Sequence, residues 1–182
     1  MLRGELVGLR ARTEADVPIL HAAFHDDVAV WSRVHSRPWR PVTAGSEESP
    51  YAVSPPSDDA AIFSVVTLID DELVGGALLL GIDSHNRAAH LGVSLLPIAQ
   101  GRGLGTDVVN VLCRYGFAIL GLNRLQLETL ADNHAMIAAA RRGGFSLEGT
   151  MRNAAWVSGE FLDEVVFGQL ATEWNGEQAR RS

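Results

Sequence analysis

The sequence predicts an α+β fold, a central mixed and mostly antiparallel sheet of about seven strands flanked by four or so helices. Three observations carry that expectation. Apolar residues alternate with period two in several short runs and recur with helical spacing in others. Strand-like runs do not alternate regularly with helical ones, because three of them follow one another in mid-chain as a meander. The length of 182 residues suffices for one core and falls short of two full domains, so a single domain is expected over residues 1–182.

Taken in order, residues 4–12 read as a first strand. Thr13 with Asp16 three residues on resembles a capping box with Asp in place of Glu, opening a helix over about residues 14–25 whose core face is Val17, Leu20 and Phe24. A second short helix is expected over residues 29–34. Five of the seven prolines then fall between Arg37 and Pro56, which predicts a long irregular loop over residues 35–60. Loops of that length in compact domains are usually functional or disordered.

Two strands follow, residues 62–69 and 73–82, separated by Asp70, Asp71 and Glu72 as a tight hairpin would be. The next run puts Ala89, Leu91, Val93 and Leu95 on one face and His90, Gly92 and Ser94 on the other, until Pro97 removes a ladder donor. Residues 106–120 form an amphipathic helix with the stripe Val108, Val111, Leu112, Tyr115 and Ile119. Residues 124–130 are a strand. Asp132 and Asn133 can cap a helix through about Arg142, ended by Gly143 and Gly144. Strands over 146–156 and 161–170 close the pattern, and 172–182 is a C-terminal tail.

Composition narrows the class. Apolar residues make up 47% and charged ones 20%, ordinary for a globular protein. A formal charge of -7 argues against nucleic acid as a partner, which needs clustered Lys and Arg; it fits an acidic surface kept for solubility, and is compatible with a cationic small substrate. Cys113 is the only cysteine, so no intrachain disulfide exists, and its apolar neighbours assign it to the core. No signal-peptide run opens the sequence and no apolar stretch is long enough for a membrane span, so the expectation is a cytoplasmic protein with no membrane partner.

The densest chemical signal is Gly101, Gly103 and Gly105 between a strand and a helix. Glycines there permit positive φ and close approach to the main chain, while the unpaired N–H groups and positive dipole end of a helix attract an anion such as phosphate. A Walker-type loop fits badly, because Thr106 and Asp107 follow the last glycine instead of Lys and Ser or Thr. A Rossmann fingerprint fits badly in spacing and in its position behind a meander, and a dinucleotide-binding domain stays as a third reading that NAD binding without CoA binding would favour.

The full string Gln100, Gly101, Arg102, Gly103, Leu104, Gly105 resembles the Q/R-x-x-G-x-G/A signature of the Gcn5-related N-acetyltransferases (GNAT). Further along, Asn133, Gly144, Phe145, Glu148, Gly149, Gly159 and Asp163 are similar to the C-terminal pattern of the ribosomal-protein (RimJ/RimL-like) branch, and residues 2–20 to its opening strand and helix. That resemblance implies a GNAT fold whose fourth and fifth strands, here about residues 89–95 and 124–130, splay apart around acetyl-CoA. It implies that backbone N–H groups of Arg102, Gly103, Leu104, Gly105 and Thr106 cradle the pyrophosphate. Gln100 assists, Leu95 and Leu96 pair with the pantetheine arm, and Asn133 lies near the thiol. Arg142 or Arg141 can reach a phosphate, or simply be a cation at a helix end.

The implied reaction is transfer of an acetyl group to a primary amine by direct attack in a ternary complex, which needs a neutral amine and a protonated leaving thiolate. The sequence departs from the pattern here. The serine of the RimL-like branch three residues after the Asn is Met136, the tyrosine position of other branches is Ala140, and the glutamate position is Ala155. His90 is the favoured base, occupying a place similar to the catalytic glutamate of the histone-acetylating members, with Glu128 on the adjacent strand as second candidate. Asp163 is read as ordering the last strands. The missing groups also motivate another reading, a CoA-binding sensor or interaction domain with weak or no catalysis.

Neutralising a lysine-like amine at pH 7 costs about 4.6 kcal/mol, an α-amine only about 1 kcal/mol. A weak base therefore favours peptide or protein N-termini, or an amino-bearing small molecule, as acceptor. By family analogy the first two helices and the proline-rich loop wall the acceptor pocket, bringing in Phe24, Trp31, Trp39 and Tyr51; Phe24 and Trp31 fit equally well in a hydrophobic cluster under the loop. Trp39, flanked by Pro38 and Pro41 and lying between Arg37 and Arg40, is harder to bury. His21 and His25 have metal-ligand spacing, but no third ligand is apparent in the sequence, so no metal is expected and both are read as solvated or cleft-edge histidines. Dimers are frequent in the branch it resembles, which makes a homodimer an expectation too.

Overall fold

Eight strands form one sheet in the computed structural model, which describes residues 1–176. They are β1 (Leu2–Arg3), β2 (Val7–Ala11), β3 (Ala60–Thr67), β4 (Leu73–Asp83), β5 (Ala88–Leu95), β6 (Arg124–Leu130), β7 (Ser146–Val157) and β8 (Glu160–Leu170). The spatial order is β1-β2-β3-β4-β5-β6-β8-β7. Every neighbouring pair is antiparallel except β5 and β6, which run parallel and are joined by only three residue pairs, Ala88 to Arg124, Ala89 to Leu125 and His90 to Gln126. Beyond His90 the two strands part, β5 staying paired with β4 as far as Leu95 and β6 with β8 as far as Leu130.

Four α-helices accompany the sheet: α1 (Val17–Phe24), α2 (Val28–Val34), α3 (Leu104–Arg114) and α4 (His134–Arg142). Helix α3 carries the main core. Its Val108, Val111 and Leu112 are at most 2% exposed and pack with Val7, Leu9, Leu79, Leu125 and Phe167 from the sheet. Burying one such side chain is worth about 1.5–3 kcal/mol, and this layer is the main favourable contribution to folding. Cys113 lies in the same layer at 1% exposure, and burial pushes its thiol up to about 12, as the apolar stripe implies. A second cluster, Val17, Leu20, Phe24, Tyr51 and Leu96, fastens α1 and the loop over residues 35–59 to the end of β5. Among the described residues no helix is long and apolar enough to cross a membrane.

At the level of its elements and ends, the fold departs from the sequence reading in four places. The first strand, expected over residues 4–12, is shortened to β2, and a further strand β1 precedes and pairs with it, which makes eight strands where about seven were expected. Asp107 is the cause: its carboxylate accepts the N–H groups of Glu5 (3.1 Å), Leu6 (2.7 Å) and Val7 (2.9 Å), and Gly4 leaves room for the approach. Helix α1 begins at Val17, because Asp16 turns back to accept from the Thr13 N–H at 2.8 Å and the Arg10 fork at 2.6 and 2.8 Å instead of entering the helix. Burial works against ionisation of Asp16, yet the Arg10 guanidinium and these donors hold its carboxyl well below the usual carboxylate range. The helix expected over 106–120 starts earlier, at Leu104, and its last turn widens into a π-turn over Tyr115–Ile119. Of the expected tail, residues 177–182 lie outside the described residues, whereas Trp174 packs on Phe117 with ring centroids 5.6 Å apart.

Asp107→Ala leaves three N–H groups without their acceptor and is expected to lower unfolding free energy by about 3 kcal/mol in urea melts. His35 stacks on Trp31 at 3.9 Å and reaches the Tyr51 hydroxyl at 2.8 Å. Burial, aided by the nearby His25 and Arg37 charges, pushes it from 6.5 down to about 4. Between those values the unfolded chain takes a proton that the folded one refuses, so stability present above pH 6.5 is lost as pH falls toward about 4. The urea midpoint should show that slope, and His35→Gln should flatten it.

Candidate active site

The stretch after β5 makes one helical turn over Pro97–Ala99, then reaches Gly101 with φ 74° and Gly103 with φ 79°, both in the left-handed region. Gly103 is the N-cap of α3, so no side chain satisfies the first N–H groups of that helix. A Cβ built on Gly101 or Gly103 would meet nothing within 4 Å. The glycines therefore serve two needs, the turn itself and an open approach to bare N–H groups at a helix start. Leu104 points into the core at 4% exposure, so only its backbone faces the opening, and Arg102 is exposed. This cradle fits an anionic group.

Upstream, Leu95 is the last paired residue of β5 and its carbonyl accepts from Gln100 Nε2 at 3.1 Å. The Leu96 N–H is given to the Val74 carbonyl at 2.9 Å and its side chain to the second cluster. On the facing edge, Asn133 caps α4: its Oδ1 accepts from the Met136 N–H at 3.2 Å and its Nδ2 donates to Thr129 Oγ1 at 3.0 Å. Asn133 and Gln100 line one cavity of about 420 Å³ together with Arg33 and Val34 of α2, Asp132 and His134. Arg33 and Asp132 form an ion pair at 2.7 Å across it.

At the base of the splay the two candidate bases meet. His90 Nδ1 is 3.2 Å from Glu128 Oε2, with side-chain exposures of 54% and 30%. The carboxylate is itself held, because Gln126 Nε2 donates to its other oxygen at 2.5 Å, Arg124 donates to Gln126 Oε1 at 2.8 Å, and Arg124 is paired with Glu148. Glu164, on β8, is raised above the usual carboxylate range by burial and by the charge of Glu128. A carboxylate accepting Nδ1–H leaves Nε2 of the imidazole free to take a proton, the arrangement of a base oriented by a third group.

The remaining expected residues are placed as follows. Arg142 lines a second cavity of about 490 Å³ with Arg3, Asn110, Arg114 and Trp174, and none of residues 100–106 borders it. Trp31 and Tyr51 are buried at 6% and 7% exposure. Trp39 remains 37% exposed with its indole N–H donated to the His25 carbonyl at 2.9 Å. The expectation that His21 and His25 are solvated or at a cleft edge is wrong, since each is 2% exposed beneath the loop. Ala140 is fully buried, so its position has become core, and Asp163 Oδ1 accepts from the Asn153 N–H at 2.8 Å where β7 bulges. His134 escaped the sequence reading although it directly follows Asn133, because its place in the cavity depends on where α4 begins.

The model of the acetyltransferase (GNAT) domain family matches residues 7–146. A putative ribosomal N-acetyltransferase of Bacillus subtilis, YdaF, is 33% identical over 111 residues, 61% of each chain. Spermidine N(1)-acetyltransferase of Escherichia coli is 30% identical over 96 residues, 53% of this chain and 52% of that one. The chain thus spans between half and two thirds of the length of these curated relatives. Among solved structures, a spermidine N-acetyltransferase from Vibrio cholerae in complex with CoA and spermine superposes with a TM-score of 0.81 at 22% identity, covering 92% of this chain and 96% of that one. RimL, a ribosomal L7/L12 α-N-protein acetyltransferase in complex with CoA, gives 0.77 at 25% identity over 93% and 96%.

Gly103→Val puts a branched side chain in the cradle and should weaken CoA binding by a hundredfold or so in calorimetry, with about 1–2 kcal/mol of backbone strain. Gly159→Val carries similar strain at φ 98°, also with nothing within 4 Å of an added Cβ, and should leave CoA affinity unchanged.

Proposed function

The chain belongs to the GNAT acetyltransferase family, and from that premise we propose that it works as one domain that moves an acetyl group from acetyl-CoA to a primary amine. The observation that carries the reading is the His90–Glu128 pair at 3.2 Å, standing where β5 and β6 part and on the strand that leads into the glycine cradle. When bound, acetyl-CoA supplies the thioester carbonyl. The N–H groups of residues 102–106 would hold its pyrophosphate at the start of α3, and the free edges of β5 and β6 would border its pantetheine arm.

His90 Nε2 takes the proton from the attacking amine. Glu128 keeps Nδ1–H in place and offsets the imidazolium charge that develops, and Gln126 and Arg124 fix the carboxylate. His134, exposed and lining the cavity that holds Asn133, is the group we assign to protonate the leaving thiolate, a role that Met136 and Ala140 cannot fill. The acceptor is a peptide or protein N-terminal α-amine or an amino-bearing small molecule. Supporting a cationic acceptor are Glu128 beside the base, Glu164 within reach of the Glu128 charge, and the formal charge of -7. Trp39 at the loop surface borders the acceptor side in this reading. A homodimer would use the β7–β8 hairpin, where Trp156 and Phe161 stay 60% and 59% exposed.

Thiol release with a panel of peptides, polyamines and amino acids tests the proposal. His90→Ala should lower kcat about a hundredfold with CoA affinity unchanged, and Glu128→Gln should lower kcat less. Tight CoA binding with no amine-dependent release across the panel would instead assign the chain as a CoA sensor.

A further inference from the structure

Three side chains that acetyl transfer does not use converge at the C-terminal end of α1. Asp26 swings back beneath the helix, its N–H donating to the His21 carbonyl at 3.2 Å. Its Oδ1 thereby comes 3.3 Å from His21 Nε2 and 3.7 Å from His25 Nδ1, and the three ligand atoms lie within 4.8 Å of one another. Nitrogen and oxygen ligands held about 2.0–2.1 Å from a tetrahedral ion stand about 3.4 Å apart, so both separations to Asp26 need little adjustment.

A second observation points to a ligand. His25 is 2% exposed, and its Nδ1 is buried with no hydrogen-bond partner. An orphaned ring nitrogen is costly, and this one faces the carboxylate of Asp26. The far nitrogen of His21, Nδ1, is 3.0 Å from Ser49 Oγ, the kind of outer partner that orients a metal-bound imidazole. The Asp26 side chain is 62% exposed, which leaves an entry path and space for a water as fourth ligand.

We propose that His21 Nε2, His25 Nδ1 and Asp26 Oδ1 form a site for a divalent transition ion of the zinc class. Two imidazoles and one carboxylate suit zinc better than calcium or magnesium, which take oxygen ligands. The ion's role is structural. Ser49 joins His21 and the Trp39 indole joins the His25 carbonyl, so the ion ties α1 to the loop over residues 35–59. The proposal stands independently of acetyl transfer.

The test uses untagged full-length chain stripped with a chelator, titrated with Zn²⁺ against a chromophoric competitor and separately with Co²⁺. One ion per chain, a tetrahedral Co²⁺ visible spectrum and a Zn²⁺-dependent rise in Tm are expected. Asp26→Asn, on an exposed side chain, should keep the metal-free Tm while weakening Zn²⁺ binding tenfold or more and abolishing the Tm rise. His25→Gln should do the same, Ser49→Ala should weaken binding about tenfold, and His85→Ala should change nothing. No stoichiometric binding, or binding indifferent to Asp26→Asn and His25→Gln, would overturn the site and leave only a histidine–aspartate ion pair.

Discussion

A parallel pair of strands needs a crossover between them, and here that crossover is α3, packed into the core from the end of β5 to the start of β6. Three residue pairs are all that join β5 to β6 before each strand follows its outer neighbour, β4 or β8. Past His90 the inner edges carry N–H and C=O groups without strand partners, in a sheet otherwise continuous over eight strands. Unpaired edges inside a sheet are tolerated only where something else satisfies them. The cradle, the cavity beside Asn133 and the His90–Glu128 pair all border that opening.

Two carboxylates secure the ground around it. Asp107, in the first turn of α3, gathers three consecutive N–H groups from the β1–β2 turn, fixing the helix against the start of the chain. Asp16 joins β2, β3 and the entry to α1 through Arg10, Ser64 and Thr13. Charge-assisted bonds of this kind are stronger than neutral ones and set direction as well as energy. They orient α3, whose glycine N-cap faces the opening, and α1, whose C-terminal end meets the proline-rich loop.

The polar chain Glu148, Arg124, Gln126, Glu128 and His90 crosses from β7 through β6 to β5 on one face of the sheet. Each member restrains the next, so the imidazole is oriented without being buried, and its Nε2 stays available. The residues that replace the expected serine and tyrosine have gone over to packing: Met136 lies against the core and Ala140 inside it. Proton transfer on the thiol side then falls to a side chain outside the inherited pattern, which is the place His134 takes in the proposed mechanism.

Local periodicity made most elements legible. The strand at Arg124–Leu130 stands where its alternation puts it, and α4 begins at the Asn133 cap that the residue type implied. The glycines at 101 and 103 adopt the positive φ that their spacing suggested. Such features depend on neighbours within a turn or a strand, so the order of residues alone determines them. What the sequence left open depends on contacts between distant segments. The turn that Asp107 holds between β1 and β2 is a contact across about a hundred residues, which no local pattern announces. His90 and Glu128, 38 residues apart in sequence, become one hydrogen-bonded pair only once β5 and β6 set them side by side. His21 and His25 looked solvated because the chain does not announce that its proline-rich loop folds over them. Sequence determines what each segment does by itself; which polar groups meet, and which are shut away from water, is decided by packing that the whole chain imposes at once.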